Sequence, residues 1–327
     1  MSKEDLVIVK TGTESITKTT YDEDEIDGSV IEYEFEVLDR YAIERVATDL
    51  NTLLGRSVLV SSAAITAGTH ALGLAERPGN DDVVMQQIAS ARGNRDLFAL
   101  WEEALFLTSE FGESVRRTHI ADFHVWGQTK RKVVDMLVTH RELDQRDSWD
   151  NLLGVTATVL DRLWLPGFNE NDPVSPKELL DKLGDNGESR ALRFGDNDQL
   201  AAHLAVNLGR FALDFADQNT QLVILTGVGG IYEDLNRPDS IVREINVEDA
   251  DALYDFVIDG NDHLKSRGGA RSKIHAGILA AKAGVRVIIS DNSWENPVMR
   301  ALNGESGTVI VPSTEEVIAV EDSADHH

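Results

Sequence analysis

Short apolar runs that stop at small or polar residues recur along the chain: Leu6–Val9, Ser57–Val60, Leu163–Phe168, Leu222–Leu225 and Val285–Ile289. Stretches with helical spacing separate them. Strands that are apolar on both faces and alternate with helices are buried strands of a mainly parallel sheet, so the chain reads as α/β. In such sheets ligands gather at the C-terminal edge of the strands. The stretch from Leu163 to Asp198 says most about what that edge carries. Its apolar run breaks into Asn169-Glu170-Asn171-Asp172, and after a variable loop it closes with Gly195-Asp196-Asn197-Asp198 ahead of a helical segment, Gln199–Leu208. Asn and Asp cap helices and form turns, and that reading is as good for one cluster alone. Two clusters in succession favour a grip on a small polar substrate and a metal–phosphate complex.

The 57 acidic against 31 basic residues give a net charge of −26. That argues against nucleic acid or an anionic membrane as partner, since both reward a basic face. An anionic substrate would need a locally positive pocket inside this acidic shell. With no cysteine, disulfides, thiol catalysis and Cys-built zinc sites are excluded. No signal peptide or membrane-length apolar run is apparent, and a cytoplasmic address is the default.

Along the chain, the first run ends at Lys10-Thr11-Gly12-Thr13, where an ammonium and backbone N–H groups can meet phosphate. Residues 14–32 are polar and acidic and read as a solvated loop; Tyr33–Leu54 reads as one amphipathic helix. The second strand runs through Ser61-Ser62-Ala63-Ala64 into a helix, Ile65–Leu74, whose first amides favour an anion, although tight helix–strand packing explains small residues equally well. Gln86–Ala91 and Leu97–Leu107 read as two further helices. Residues 108–132 are irregular and hold the one basic patch, Arg116-Arg117 and Lys130-Arg131-Lys132, read as a surface hairpin or subunit contact. His119, Asp122 and His124 lack metal-site spacing. Val133–Val138 is a strand and Asp150–Arg162 a helix. Leu222–Leu225 leads into Thr226-Gly227-Val228-Gly229-Gly230, where something passes close to the backbone. Asp249–Val257 reads as a helix. Arg267-Gly268-Gly269-Ala270-Arg271-Ser272-Lys273 then opens an Ala-rich helix, Ile274–Ala283, in a phosphate-cradle arrangement without P-loop spacing. Thr308–Val311 closes the sheet.

The motifs Val-Lys-Thr-Gly-Thr, Val-Ser-Ser-Ala-Ala-Ile, Met-Leu-Val-Thr-His-Arg, Asn-Glu-Asn-Asp, Gly-Asp-Asn-Asp, Leu-Thr-Gly-Val-Gly-Gly-Ile-Tyr and Gly-Gly-Ala-Arg-Ser-Lys, in that order, resemble the amino-acid kinase family, and within it the glutamate 5-kinase branch. The resemblance runs from about Leu6 to Val311. It implies a three-layer α/β/α sandwich around a mainly parallel central sheet, as one domain over 1–327. The acceptor-binding half would be about 1–200 and the nucleotide-binding half about 201–312, with an acidic tail at 313–327. It implies ATP and Mg²⁺ as cofactors and L-glutamate as acceptor, phosphorylated on its side chain to γ-glutamyl phosphate in the first step of proline biosynthesis. A reductase would take over the labile product, and a homo-oligomer is expected. Residue by residue, the resemblance puts Lys10 on the transferring phosphoryl group with the Gly12 N–H beside it. Ser62, Asn169, Asp172 and Asn197 would bind glutamate, and Asp198 would position the lysines. Thr226 and Gly227 would contact the nucleotide. Arg267, Gly268 and Gly269 would wrap the phosphates, and Lys273 would neutralise the leaving ADP.

Four features depart from the family pattern. Ala63 stands where glycine is usual, Gly227 where aspartate is usual, and Ser266-Arg267-Gly268-Gly269-Ala270 replaces Gly-Thr-Gly-Gly-Met. The loop over 173–195 and the basic segment 108–132 are longer than usual. No RNA-modification-type domain follows Val311, which reads as a short, kinase-only form. Two other readings stand beside the glutamate kinase: a sibling kinase acting on another carboxylate or phosphate acceptor, and a non-catalytic amino-acid-binding regulatory subunit.

Overall fold

The computed structural model describes residues 5–26, 29–79, 81–110, 131–139, 142, 145–174, 197–211, 220–233, 236–249 and 270–312; within these, the side chains of 22–26, 29–33, 210–211, 238 and 270–271 are not described. The elements in order are β1 (Leu6–Thr11), α1 (Thr13–Ile16), β2 (Thr17–Ile26), β3 (Ser29–Leu38), α2 (Arg40–Thr52), β4 (Ser57–Ser61), α3 (Ala64–Ala71) and α4 (Val83–Leu107). After these come β5 (Val133–Val138), α5 (Arg146–Asp161), β6 (Leu165–Glu170), α6 (Asn197–Phe211), β7 (Thr220–Thr226) and β8 (Glu244–Asn246). The last are α7 (Ala270–Lys282), β9 (Arg286–Asp291), α8 (Pro297–Leu302) and β10 (Thr308–Val311).

Among the described residues, eight strands form one sheet in the order β5-β6-β4-β1-β7-β9-β10-β8. The pairings from β5 to β9 are parallel; β10 runs antiparallel to β9 and carries β8 parallel to itself. Successive side chains of a strand point to opposite faces. Leu6, Ile8, Val58, Val60, Leu222 and Ile224 pack on one side with α5, α6 and α7. Val7, Val9, Leu59, Val223 and Leu225 pack on the other with α2, α4 and α8. The result is the three-layer α/β/α sandwich around a mainly parallel sheet.

Several local expectations are corrected. Residues 14–32 are not a loop: β2 and β3 form a separate antiparallel hairpin, Thr17 opposite Leu38 through Ile26 opposite Ser29. Acidity drew attention away from a period-2 pattern, Ile31-Glu32-Tyr33-Glu34-Phe35-Glu36-Val37, which is a strand signature. The helix expected from Tyr33 therefore begins at Arg40, where Asp39 caps it by accepting the Tyr41 N–H at 3.1 Å. The two helices expected over 86–107 are one, α4. Gly93 interrupts the pattern but not the helix, because it faces α3: a Cβ there would lie 1.8 Å from Ala64 O, and one at Gly68 of α3 would lie 1.8 Å from Ala89 O. β6 continues through Asn169 and Glu170, so only Asn171 and Asp172 of that cluster lie beyond it. α8 has no counterpart in the sequence reading; its first amides, Val298 N and Met299 N, donate to Asp49 Oδ2 at 2.8 and 3.1 Å.

Of the basic segment, Arg131 is an internal clamp. Its guanidinium donates to Leu50 O at 2.6 Å and to Leu163 O at 3.3 Å, tying α2 to the entry of β6. Burial pushes its pKa down to about 10. Arg116, Arg117, His119, Asp122, His124 and Lys130 lie outside the described residues, as do the helix expected beyond Asp249 and the tail 313–327.

Candidate active site

β1 sends Lys10 to the same side as Leu6 and Ile8, the side covered by α6. There Lys10 Nζ pairs with Asp198 Oδ1, both side chains almost wholly buried. Asp198 is the second residue of α6, where a carboxylate also complements the helix dipole. Its other oxygen lies 3.7 Å from Lys273 Nζ, whose side chain is 19% exposed and reaches in from the first turn of α7. Burial pushes the Asp198 carboxyl up, but the Lys10 and Lys273 ammoniums and hydrogen bonds from Lys10 and Ser272 outweigh it and hold the group below its ordinary value. Gly12 sits between the two lysines: a Cβ there would be 3.7 Å from Lys10 Nζ and 3.9 Å from Lys273 Cε. Two ammoniums thus converge on one buried carboxylate at the sheet edge of a chain whose net charge is −26. The Gly12 N–H is not directed outward; it makes a long contact, 3.4 Å, to Leu225 O.

Beside this centre runs a buried chain of polar side chains. Asn197 Nδ2 donates to Ser62 Oγ at 3.2 Å and to Asn169 Oδ1 at 2.7 Å. Asn169 Nδ2 donates to Asn94 Oδ1 at 2.7 Å. Asn94 Nδ2 reaches Ser90 Oγ at 3.5 Å, and Ser90 Oγ donates to Asp172 Oδ2 at 2.5 Å. The four residues expected to bind the acceptor are thus connected, with Asp172 joining the others through Ser90 and Asn94 of α4. Those two were missed. The signal for them was a polar i, i+4 pair on the buried face that also carries Ala89, Leu97 and Trp101.

Ser62 is fixed by its own N–H, which donates to Thr11 O at 3.1 Å. Next to it, Ala63 caps α3 at φ 79°, ψ 15°, the left-handed region. A side chain there costs about 1–2 kcal/mol relative to ordinary backbone. The residue that departs from the family's glycine is therefore held in the backbone state that glycine would adopt without strain.

At the end of β7, Thr226 Oγ1 accepts the N–H groups of Val228 and Gly229 at 3.2 and 3.1 Å, closing the turn. Gly227 is exposed, and a Cβ there would meet Glu14 at ordinary contact distance, 3.7 Å. Its backbone does not demand glycine. Arg267, Gly268 and Gly269 lie outside the described residues.

A cavity of about 610 Å³ opens between the hairpin and α3, lined by Phe35, Glu36, Thr66 and His70 among others, and by none of the expected site residues. Glu36 braces it, accepting Thr17 Oγ1 at 2.6 Å and Thr66 Oγ1 at 3.0 Å. Among the described residues no cluster of three or more His, Asp or Glu side chains could hold a metal ion, and no helix is long and apolar enough to cross a membrane.

Residues 5–291 match the amino acid kinase family, and the chain belongs to it. Its relatives include glutamate 5-kinases, from Hahella chejuensis (31% identical over 264 residues, 80% of this chain) and from Pseudomonas syringae pv. tomato (32% over 266 residues, also 80%). The chain spans 57% and 59% of the length of these two relatives. Among solved structures, carbamate kinase from Giardia lamblia bound to AMP-PNP aligns with a TM-score of 0.54 at 16% identity, covering 96% of this chain and 100% of that one, a likeness of fold.

Proposed function

We propose that this chain is an ATP-dependent kinase that phosphorylates the side-chain carboxylate of L-glutamate, the reaction that opens proline biosynthesis. The observation that carries the reading is Asp198 holding Lys10 and Lys273 on either side of Gly12. In-line phosphoryl transfer needs positioning and charge neutralisation rather than covalent help. A glutamate carboxylate oxygen is already a nucleophile; it attacks the γ-phosphorus as the bond to the ADP oxygen breaks, and no proton need be removed. Lys10, at the end of the central strand, would face the transferring group, and Lys273 the oxygen of the leaving ADP. Asp198 keeps both heads pointed inward before substrate arrives, so little reorganisation is left for the transition state. Ser62, Asn169, Asp172 and Asn197 would hold the acceptor. Residues up to about 200 serve the acceptor, and those over 201–312 the nucleotide.

Mg²⁺ would arrive with the nucleotide, beside Lys10 and Lys273, and would supply further charge neutralisation. The product is an acyl phosphate. Its lability calls for a reductase partner acting promptly.

Incubation with Mg²⁺–ATP, hydroxylamine and a panel of acidic amino acids tests the assignment. Glutamyl hydroxamate that disappears in Lys273→Ala supports it. ADP release with another acceptor, without glutamyl hydroxamate, moves the reading to a sibling kinase. Exposed Gly227, with room for a side chain and none present, favours one further alternative, an amino-acid-binding subunit; ATP binding without either product would establish that.

A further inference from the structure

The buried polar chain beside the lysines has a direction. Ser90 has one hydroxyl proton and gives it to Asp172 Oδ2. Toward Asn94 its oxygen can then only accept. Asn94 must therefore turn its Nδ2 to Ser90 and its Oδ1 to Asn169. That leaves Asn169 with Nδ2 toward Asn94 and Oδ1 toward Asn197, and Asn197 with Nδ2 toward Asn169. The second Nδ2 proton of Asn197 goes to Ser62 Oγ. Each amide is fixed by its neighbour, and the starting point is a carboxylate two elements away. The chain ends on Asn197 Oδ1, which is buried and accepts no hydrogen bond among the described residues. Had the direction been reversed, Asn197 would offer an NH₂ group at that place instead of an oxygen.

Asn94 and Ser90 sit at this depth because α4 touches α3 backbone to backbone at Gly93, the residue between them. Both are at least nine-tenths buried. A polar pair with that little exposure, each partner accounted for, is a built arrangement rather than a solvated surface.

We propose that Ser90 and Asn94 are positioning residues that set the amide polarity of Asn169 and Asn197, so that the site presents an oxygen and selects acceptors bearing an ammonium over isosteric ones that lack it. This rests on the acceptor assignment made above. A site built to accept an N–H discriminates strongly against an analogue without one, because the buried acceptor is then left unpaired.

Neutron diffraction on the deuterium-exchanged full chain reads the polarity without any substrate. The deuterons of Asn197 should face Asn169 and Ser62, with Oδ1 turned away from both; the opposite orientation overturns the proposal. Kinetics and calorimetry read the consequence, using L-glutamate and its desamino analogue glutarate. In Ser90→Ala the preference for glutamate should fall at least tenfold, through KM or Kd for the acceptor, with the KM for ATP unchanged. Ser90→Thr, which restores the hydroxyl, should recover most of the preference. Equal losses for both acceptors, with the ratio intact, would mean that Ser90 only supports the fold and would sink the idea. If the unaltered protein neither binds nor turns over either acceptor, the functional assignment and the ammonium selection fail together, and the neutron result still decides the polarity.

Discussion

Gly93→Ala sets two known effects against each other. Alanine is a better helix former than glycine by about 1 kcal/mol, so propensity alone predicts a gain in stability in the middle of α4. The contact with α3 predicts a loss. The new Cβ would lie 1.8 Å from Ala64 O, 2.5 Å from Gly68 N and 2.8 Å from Ala64 C, all backbone atoms. No rotamer change relieves that, so the helices must part by roughly 1.5 Å to restore ordinary contact. Inserting a methyl(ene) into a packed interior costs about 1–3 kcal/mol even when side chains can adjust, and a rigid backbone obstacle puts this site at or above the upper end. The net expectation is a destabilisation of about 2 kcal/mol, read as a lower urea midpoint with unchanged slope and a Tm lower by roughly 3 °C. The proposed acceptor site should respond as well. Asn94 is the next residue, and a displacement on the order of 1 Å can cost about a hundredfold in a positioned reaction, so acceptor KM should rise while ATP KM stays. A variant more stable than the parent by about 1 kcal/mol would refute the packing argument outright.

Ala63→Gly should relieve the left-handed strain of about 1–2 kcal/mol, partly offset by about 0.4–1 kcal/mol of extra chain entropy in the unfolded state, and so raise the denaturant midpoint slightly; a clear fall would show that Ala63 is not held at positive φ. Burial pushes the Asp49 carboxyl up to about 6, against the pull of the Met299 and Val298 amides, with Glu295 adding to the rise. Its folded pKa lies above its unfolded one, so its contribution is fully present below about pH 4 and lost as pH climbs through about 6, on the order of 2–3 kcal/mol; urea midpoints of the parent and Asp49→Asn, measured from pH 4 to 7, should diverge across that window, and parallel curves would contradict the assignment. Asp198→Asn leaves two ammoniums at one buried edge without their counter-charge and should cost about 3–5 kcal/mol; denaturation at pH 7 checks it, and unchanged stability would show that the lysines do not converge there.

The central sheet was legible because buried parallel strands carry unmistakable runs such as Leu222–Leu225, and because each run stops where its side chains meet the edge. The lysine centre was legible only in part. The residues alone offered Lys10 at a strand edge and Lys273 in the first turn of a helix as phosphate contacts, and it took the family resemblance to join them through Asp198. The hairpin was hidden by its own acidity, which outweighed the alternation beneath it. α4 was split because a glycine in a helix reads as a break when the neighbour that requires it is some thirty positions away in sequence. Ser90 and Asn94 were passed over for the opposite reason: among alanines and large apolar residues they look like tolerated polar positions, and only the approach of β6 and the turn after it gives them partners. The left-handed backbone of Ala63 could not be read from its identity, since alanine argues against that conformation.

The order of strands has a consequence for how the protein is made. β1 is synthesised before the other seven strands of its sheet, yet it ends up in the middle between β4 and β7. Its first neighbour follows within some fifty residues, whereas the second begins at Thr220. At about 5–20 residues per second, the roughly 200 residues between β1 and β7 take on the order of 10–40 s to synthesise. Throughout that interval a strand reading Leu-Val-Ile-Val-Lys-Thr has one open edge, the kind of edge on which foreign strands pair. The lysine next to the end of this strand meets Asp198 only near the close of that interval, so the ion pair at the sheet edge is completed long after the strand that carries its ammonium has been made.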